Sequence, residues 1–215
     1  MKVGTDGVLL GTWANVNDSQ RILDIGTGTG LIALMLAQRS EAEIDAIDID
    51  PDACIQATEN AERSPFQERI HVYHSQLSTF KPDVRYDLIV SNPPYFVDSL
   101  KCPDNRRSVA RHTDTLSLLD LITYSLNLLT STGKLAIIIP FDQRESLLTI
   151  AKENNLFILR ETHVLPTPQA APKRLMIELS TQKVIPQTTN LTIEKERHQY
   201  TDEFTSLAKE FYLKM

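Results

Sequence analysis

Two cysteines in 215 residues, Cys54 and Cys102, are too few for a disulfide framework of the secreted kind. No Cys/His cluster shows zinc-ligand spacing, so no metal is expected; both cysteines read as plain thiols, and a reducing cytoplasm fits. No apolar window approaches membrane-spanning length, and Asp6 interrupts any leader-like stretch after Met1-Lys2-Val3. The sequence therefore reads as soluble and not exported. Positive charge is in deficit too. The formal net charge is −6 and the pI about 5.4, which excludes indiscriminate binding to polyanions, a process driven by phosphate neutralisation and counterion release. Any nucleic acid must be met locally. Repeats and low-complexity segments are also missing. What is abundant is core material: hydrophobic residues make up 41% of a chain whose length suits one domain.

Short Val/Ile/Leu-rich runs alternate with segments of helical period. Arg21–Ile25, Glu43–Asp48, Ile70–Tyr73, Tyr86–Ser91 and Lys134–Pro140 read as strands with little polar alternation, the pattern of buried parallel strands. Leu31–Arg39, Pro51–Arg63 and Leu116–Leu129 have helix length, with Pro51 suited to a first turn. The result is a doubly wound α/β sheet. A fourth helix at Asp142–Asn154 precedes strands Leu156–Val164 and Arg174–Thr181, whose short Pro-rich linker predicts an antiparallel pair at the sheet edge. The tail 182–215 predicts a strand at Leu191–Glu194 and a helix at Thr201–Leu213.

Three glycines fall in one segment, Asp24-Ile25-Gly26-Thr27-Gly28-Thr29-Gly30, where a strand breaks before a helix. Such a turn lets backbone approach a ligand without side chains, and the helix N-terminus favours an anion. The dinucleotide fingerprint would put its third glycine where this chain has Leu31, which disfavours a nicotinamide oxidoreductase. S-adenosylmethionine fits better, because it has no phosphate and offers a methionine carboxylate instead. Asp24 can then accept from the ligand's ammonium group, directly or through the loop. Asp48 ends the second strand 18 residues after Gly30, where one carboxylate can accept from both ribose hydroxyls. It could also be a solvated strand-end acid, while Asp50, before Pro51, reads as a helix cap. After the third strand Gln76 is a candidate for the adenine edge, and equally a loop amide.

Asn92-Pro93-Pro94-Tyr95 follows the apolar run Tyr86–Ser91 and begins 62 residues after Gly30. An exocyclic amine on a flat ring is a poor nucleophile because its lone pair is delocalised. The Asn92 side-chain oxygen and the Pro93 carbonyl can each accept one of its N–H groups and draw the nitrogen toward tetrahedral geometry. Pro93 and Pro94 stiffen the backbone that holds these acceptors, and Tyr95 offers a stacking face. An isolated Pro-Pro would read as a turn, but the spacing from the glycine segment favours transfer of a methyl group to a planar amine. Directly downstream, Lys101, Arg106, Arg107 and Arg111 stand against the single acid Asp104 in the stretch 101–112, with His112 beside them. That patch is either a solvated loop or a track for phosphates.

These motifs resemble those of the S-adenosylmethionine-dependent amino methyltransferases, which include adenine-N6 enzymes and glutamine methyltransferases. The opening Lys2–Trp13, with Ala110-Arg111-His112, Lys173-Arg174 and the tail Tyr200–Met215, further resembles the bacterial valine-tRNA adenine-N6 methyltransferase family over essentially the whole chain. That family usually carries a short segment ahead of the Lys2–Asp6 motif. The resemblance implies a single class I methyltransferase domain over 1–215, with 182–215 as its appendage. It implies a seven-stranded, mostly parallel, Rossmann-like sheet with a reversed edge strand. It also implies Thr5 and Asp6 over the cofactor and a flipped adenine at position 37 of the anticodon loop as substrate; a monomer working in the cytoplasm is expected. Arg174 joins the basic stretch as a candidate for tRNA phosphates; independently of the resemblance, Arg111 and Arg174 could pair with carboxylates, and Thr5 and Asp6 could form a turn and a cap. Protein glutamine methylation is the nearest alternative, followed by amino methylation of DNA or rRNA. The glutamine enzymes usually add a helical domain before the glycine motif, and only 23 residues precede Asp24. Trp13 reads as a core anchor.

Overall fold

Apolar runs too short for helices, punctuated by turn residues, build one large sheet in the computed structural model, which describes residues 4–94 and 116–212. In chain order the elements are α1 (Thr5–Trp13), β1 (Arg21–Ile25), α2 (Leu31–Arg39), β2 (Glu43–Asp48), α3 (Pro51–Glu62), β3 (Ile70–His74) and β4 (Tyr86–Ser91). Then follow α4 (Leu118–Leu128), β5 (Leu129–Pro140), α5 (Arg144–Glu153), β6 (Phe157–Leu165), β7 (Arg174–Ser180), β8 (Gln187–Thr192), β9 (Glu194–Glu196), β10 (Gln199–Tyr200) and α6 (Asp202–Ala208). The large sheet has the order β3-β2-β1-β4-β5-β7-β6-β8, and β9 and β10 form a separate two-stranded ribbon.

Two expectations are corrected here. The sheet has eight strands, and its reversed strand is internal: β7 runs antiparallel to both β5 and β6. The hairpin predicted from the Pro-rich linker does form, but β7 inserts between β5 and β6 and leaves β6 on the outside. β8 then adds parallel to β6 and takes the edge. Its first four residues, Gln187, Thr188, Thr189 and Asn190, are exposed, so it carries little of the apolar signal that marks the other strands.

Both faces of the sheet are covered. One holds Ile22, Ile44, Leu88, Val90 and Ile138 against α1, α2 and α6; the other holds Leu23, Ile89, Leu135 and Ile137 against α4 and α5. α1 buries Val8, Leu9, Leu10 and Trp13, each worth about 1.5–3 kcal/mol when fully removed from water. The Trp13 indole donates to the Thr162 hydroxyl at 2.9 Å, and the Arg160 guanidinium lies 3.8 Å from the centre of its ring. Thr5 and Asp6 therefore open a helix, where the sequence alone allowed a turn.

α1 lies close on α2 because glycine faces it at two successive turns. A Cβ on Gly7 would stand 3.3 Å from Leu31, and one on Gly11 would stand 2.7 Å from the Met35 sulfur and 3.1 Å from its Cβ. Gly11→Val is expected to destabilise the protein by about 1–3 kcal/mol through overpacking. Urea unfolding measures it, and Met35→Ala in the same chain should recover part of the loss. A valine variant as stable as the parent would refute the close approach.

Candidate active site

The sheet places the glycine segment at its topological switch point. From β1 the chain moves to β2 and β3 on one side and later returns to β4 and β5 on the other, so a crevice opens at the carboxyl ends of β1 and β4. Ile25 at the end of β1 pairs with Ile47 of β2 and Ser91 of β4, which aligns all three strand ends.

The turn itself is held by backbone. The Gly26 and Thr27 amides both donate to the Ile47 carbonyl, at 2.9 and 3.0 Å, and the Gly30 amide donates to Thr27 at 3.0 Å. Gly26, Gly28 and Gly30 have φ of +71°, +58° and +78°, the left-handed region that disfavours side chains. A Cβ on Gly30 would meet that of Ala57 at 3.3 Å, so Gly30 also serves packing against α3. A Cβ on Gly26 would meet nothing within 4 Å, leaving open space above the turn.

Beneath that space Asp24 is fully buried. Its Oδ2 accepts from the Thr27 hydroxyl at 2.7 Å, while its Oδ1 has no partner among the described residues. Burial pushes the Asp24 carboxyl up to about 7; the Thr27 hydroxyl and the Ala33 amide of α2 pull the other way, and the neighbouring Asp48 charge adds to the rise. A buried acceptor atom left unsatisfied asks for a donor, and a cation would restore the charge. The glycine turn leaves open space over Gly26 for a ligand against its backbone, and the acid beneath can hold a ligand's ammonium directly or through the loop, so the residues fit S-adenosylmethionine.

Asp48, half-buried at the end of β2, accepts from the Gly28 amide at 2.8 Å through Oδ2 and from the Asp50 amide at 2.9 Å through Oδ1. An ionised carboxylate has about four lone-pair sites, so each oxygen retains capacity for a hydroxyl. Asp50 caps α3 by accepting from the Asp52 amide at 2.9 Å, ahead of Pro51. Between them the Ile49 side chain is 45% exposed, an apolar surface beside two acids that could cover a flat ring. Gln76 lies after β3, where the Ser75 amide donates to the Asp48 carbonyl at 2.9 Å. Its own carbonyl receives the Thr79 and Phe80 amides, and its side chain is exposed.

Across the crevice, the Ser91 hydroxyl donates to the Ile25 carbonyl at 2.9 Å and ties the end of β4 to the strand that carries the glycine turn. Asn92 follows directly and is half-buried, Pro93 is buried and Pro94 is exposed. Tyr95, Lys101, Arg106, Arg107, Arg111 and His112 lie outside the described residues. Of the remaining candidates, Asp6 and Arg174 meet: Arg174 donates its Nε–H to Asp6 Oδ2 at 2.8 Å. Thr5, one residue earlier, is exposed. Sequence reasoning passed over Thr27, Ser91 and Ile49. The first could have been found from its place three residues after a buried acid; the other two gave no signal beyond position.

A doubly wound sheet in this order, with a glycine turn after β1, an acid ending β2 and Asn-Pro-Pro after β4, defines the Rossmann-like methyltransferases. The family model for the methyltransferase small domain matches residues 3–152, and the chain belongs to that family. It is 63% identical over its full length to a protein of Parabacteroides distasonis named tRNA1(Val) (adenine(37)-N6)-methyltransferase, covering 92% of that protein. A Trichodesmium erythraeum protein of the same name is 49% identical, again over the full chain and 92% of the relative. Among solved structures, a predicted O-methyltransferase of Agrobacterium tumefaciens superposes with a TM-score of 0.75 over 95% of this chain and 96% of the other, at 19% identity. That likeness is one of fold.

Proposed function

We propose that this protein transfers a methyl group from S-adenosylmethionine to N6 of the adenine at position 37 of a valine tRNA. The observation that carries this reading is the 63% identity, over the whole chain, to a relative named for that reaction. The site chemistry agrees with it.

When bound, S-adenosylmethionine supplies an electrophilic methyl group on a sulfonium. The chain's own residues do the rest. Gly26, Gly28 and Gly30 admit the cofactor's methionine portion against backbone, and the N-terminus of α2 favours its carboxylate. Asp24 accepts from the ammonium and Asp48 from the ribose hydroxyls. Thr5 and Asp6 close over this site, and Gln76 borders the adenine end. On the substrate side, Asn92 and the Pro93 carbonyl each accept one N–H of the target amine, which pulls the nitrogen out of conjugation and restores its lone pair. Pro94 limits reorganisation of these acceptors, and Tyr95 stacks on the base. Lys101, Arg106, Arg107 and Arg111 track phosphates of the anticodon loop. A loop adenine is the cheapest to extrude, about a few kcal/mol at most, which suits a protein of net negative charge. We assign these roles to one domain over 1–215, acting as a monomer in the cytoplasm. Among the described residues no helix is long and apolar enough to cross a membrane, and no group of three metal-ligating side chains comes together.

Purified protein, S-adenosylmethionine and tRNA from cells lacking the modification should yield N6-methyladenosine, identified by nucleoside mass spectrometry and mapped to position 37. Methylation of a glutamine in a protein substrate, with tRNA untouched, would reject the proposal in favour of the amide alternative.

A further inference from the structure

The Asp6–Arg174 pair joins two parts of the carboxyl end of the sheet that lie 168 positions apart in the chain. Asp6 lies in the first turn of α1. Gly7, the next residue, faces Leu31, which directly follows the last glycine of the turn, so this end of α1 stands beside the candidate cofactor site. Arg174 is the first residue of β7, paired in register with Pro140 at the end of β5 and Val164 near the end of β6. β7 is two strands beyond β4, the strand that leads into Asn92. The two side chains meet at 2.8 Å with only 28% and 20% of their surface exposed, and Arg174 also donates to the Lys173 carbonyl at 3.0 Å. A guanidinium so placed is aimed along the protein surface at α1.

We propose that Arg174 is a positioning residue: by holding Asp6 it fixes the first turn of α1 against the glycine turn, and it acts on cofactor affinity in preference to contacting tRNA phosphate. This rests on the assignment of the cofactor site to S-adenosylmethionine. The ion pair is partly withdrawn from water, where a charge-assisted hydrogen bond keeps more of its strength than at an exposed surface. Its removal leaves the rest of α1 docked through Trp13 and the Gly7/Gly11 contact, so the loss is local to the helix start.

The test uses the full chain with Arg174→Gln, the near-isosteric Asp6→Asn, and both together. Calorimetry with S-adenosylmethionine reads cofactor affinity without tRNA, and filter binding reads tRNA affinity without cofactor. Each single change is expected to raise the cofactor Kd roughly fivefold or more, the range of moderate site-to-site coupling. The double variant should be no worse for cofactor affinity than either single, because each single change already breaks the same ion pair. The tRNA affinity should stay within about twofold. Weaker tRNA binding with unchanged cofactor affinity in Arg174→Gln would overturn the inference and make Arg174 a phosphate ligand. Fully additive losses would overturn it too, since they would mean that Asp6 and Arg174 act separately. Failure of the unaltered protein to bind S-adenosylmethionine would instead reject the cofactor assignment, and this inference with it.

Discussion

Replacing Asn92 by alanine is expected to lower kcat about 10²–10³-fold, the cost of removing one preorganised hydrogen-bonding group from a reacting centre. The Kd for S-adenosylmethionine should not change, because Asn92 follows the end of β4 and the glycine turn is held from β1 and β2. Stability should move by no more than about 0.5 kcal/mol, since Asn92 is half-buried at a strand end and the Ser91 bond to Ile25 that anchors the segment survives. Asn92→Asp keeps an acceptor atom and should retain measurable residual activity. Single-turnover methyl incorporation into tRNA, with calorimetry for the cofactor, separates the two quantities. An alanine variant within about threefold of the parent would remove the two-acceptor mechanism.

Asp24→Asn should strengthen the fold and weaken the site. The Asp24 carboxyl is raised from 3.8 to about 7 in the folded chain, so the folded state binds its proton more tightly than the unfolded state does. The stability this group contributes is fully present below about pH 4, declines as pH rises, and is lost as pH passes through 7. Holding the buried charge above that point costs on the order of 4 kcal/mol relative to the protonated form. Asparagine is neutral throughout. The stability difference should therefore grow in the variant's favour from about pH 4 to 7 and level off above, as urea unfolding at a series of pH values would read. On the proposed assignment cofactor binding has the opposite demand, because the carboxylate, directly or through the loop, holds the ammonium. Affinity of the parent should rise with pH up to about 7, near tenfold per unit where the group is mostly protonated, and fall again above about 8, where the free ligand's α-ammonium deprotonates. The variant should bind at least about tenfold more weakly at pH 8, with no such slope. Parallel pH dependences in parent and variant would show that another group sets the behaviour.

The parts of this fold that showed in the sequence are those where one physical demand dominates. β1, β2, β4 and α2 have the bounds that their apolar runs predict, because buried strands flanked by Gly, Asp and Pro leave few ways to be read. α1 was harder. Every residue from Gly7 to Trp13 is buried, so the segment has no polar face and none of the amphipathic period that marks a surface helix. The internal place of β7 was invisible for another reason: a hairpin's pattern states that two strands pair, not which of them faces the rest of the sheet. Of β8 only the apolar end at Leu191 showed, within the strand predicted at Leu191–Glu194, because the exposed Gln and Thr before it look like a loop. At the site, the glycine turn after β1 and the position of Asn-Pro-Pro directly after β4 were legible, because left-handed backbone and a strand end closed by Pro-Pro admit few residue types. Thr27, Ser91 and the Asp6–Arg174 pair depend on three-dimensional neighbours, and ordinary residues supply them.

The anchoring of α1 also has an order in time. Trp13 bonds Thr162 and its carbonyl accepts from Arg160, the Asn15 amide reaches Glu178, and Asp6 reaches Arg174, all partners lying more than 140 positions further along the chain. On the ribosome the first helix can meet α2 early, but its remaining fastenings cannot form until β6 and β7 have left the exit tunnel. The bonds that tie α1 and its C-terminal flank to the far strands are thus among the last contacts translation completes, and a chain cut short before β6 and β7 lacks them.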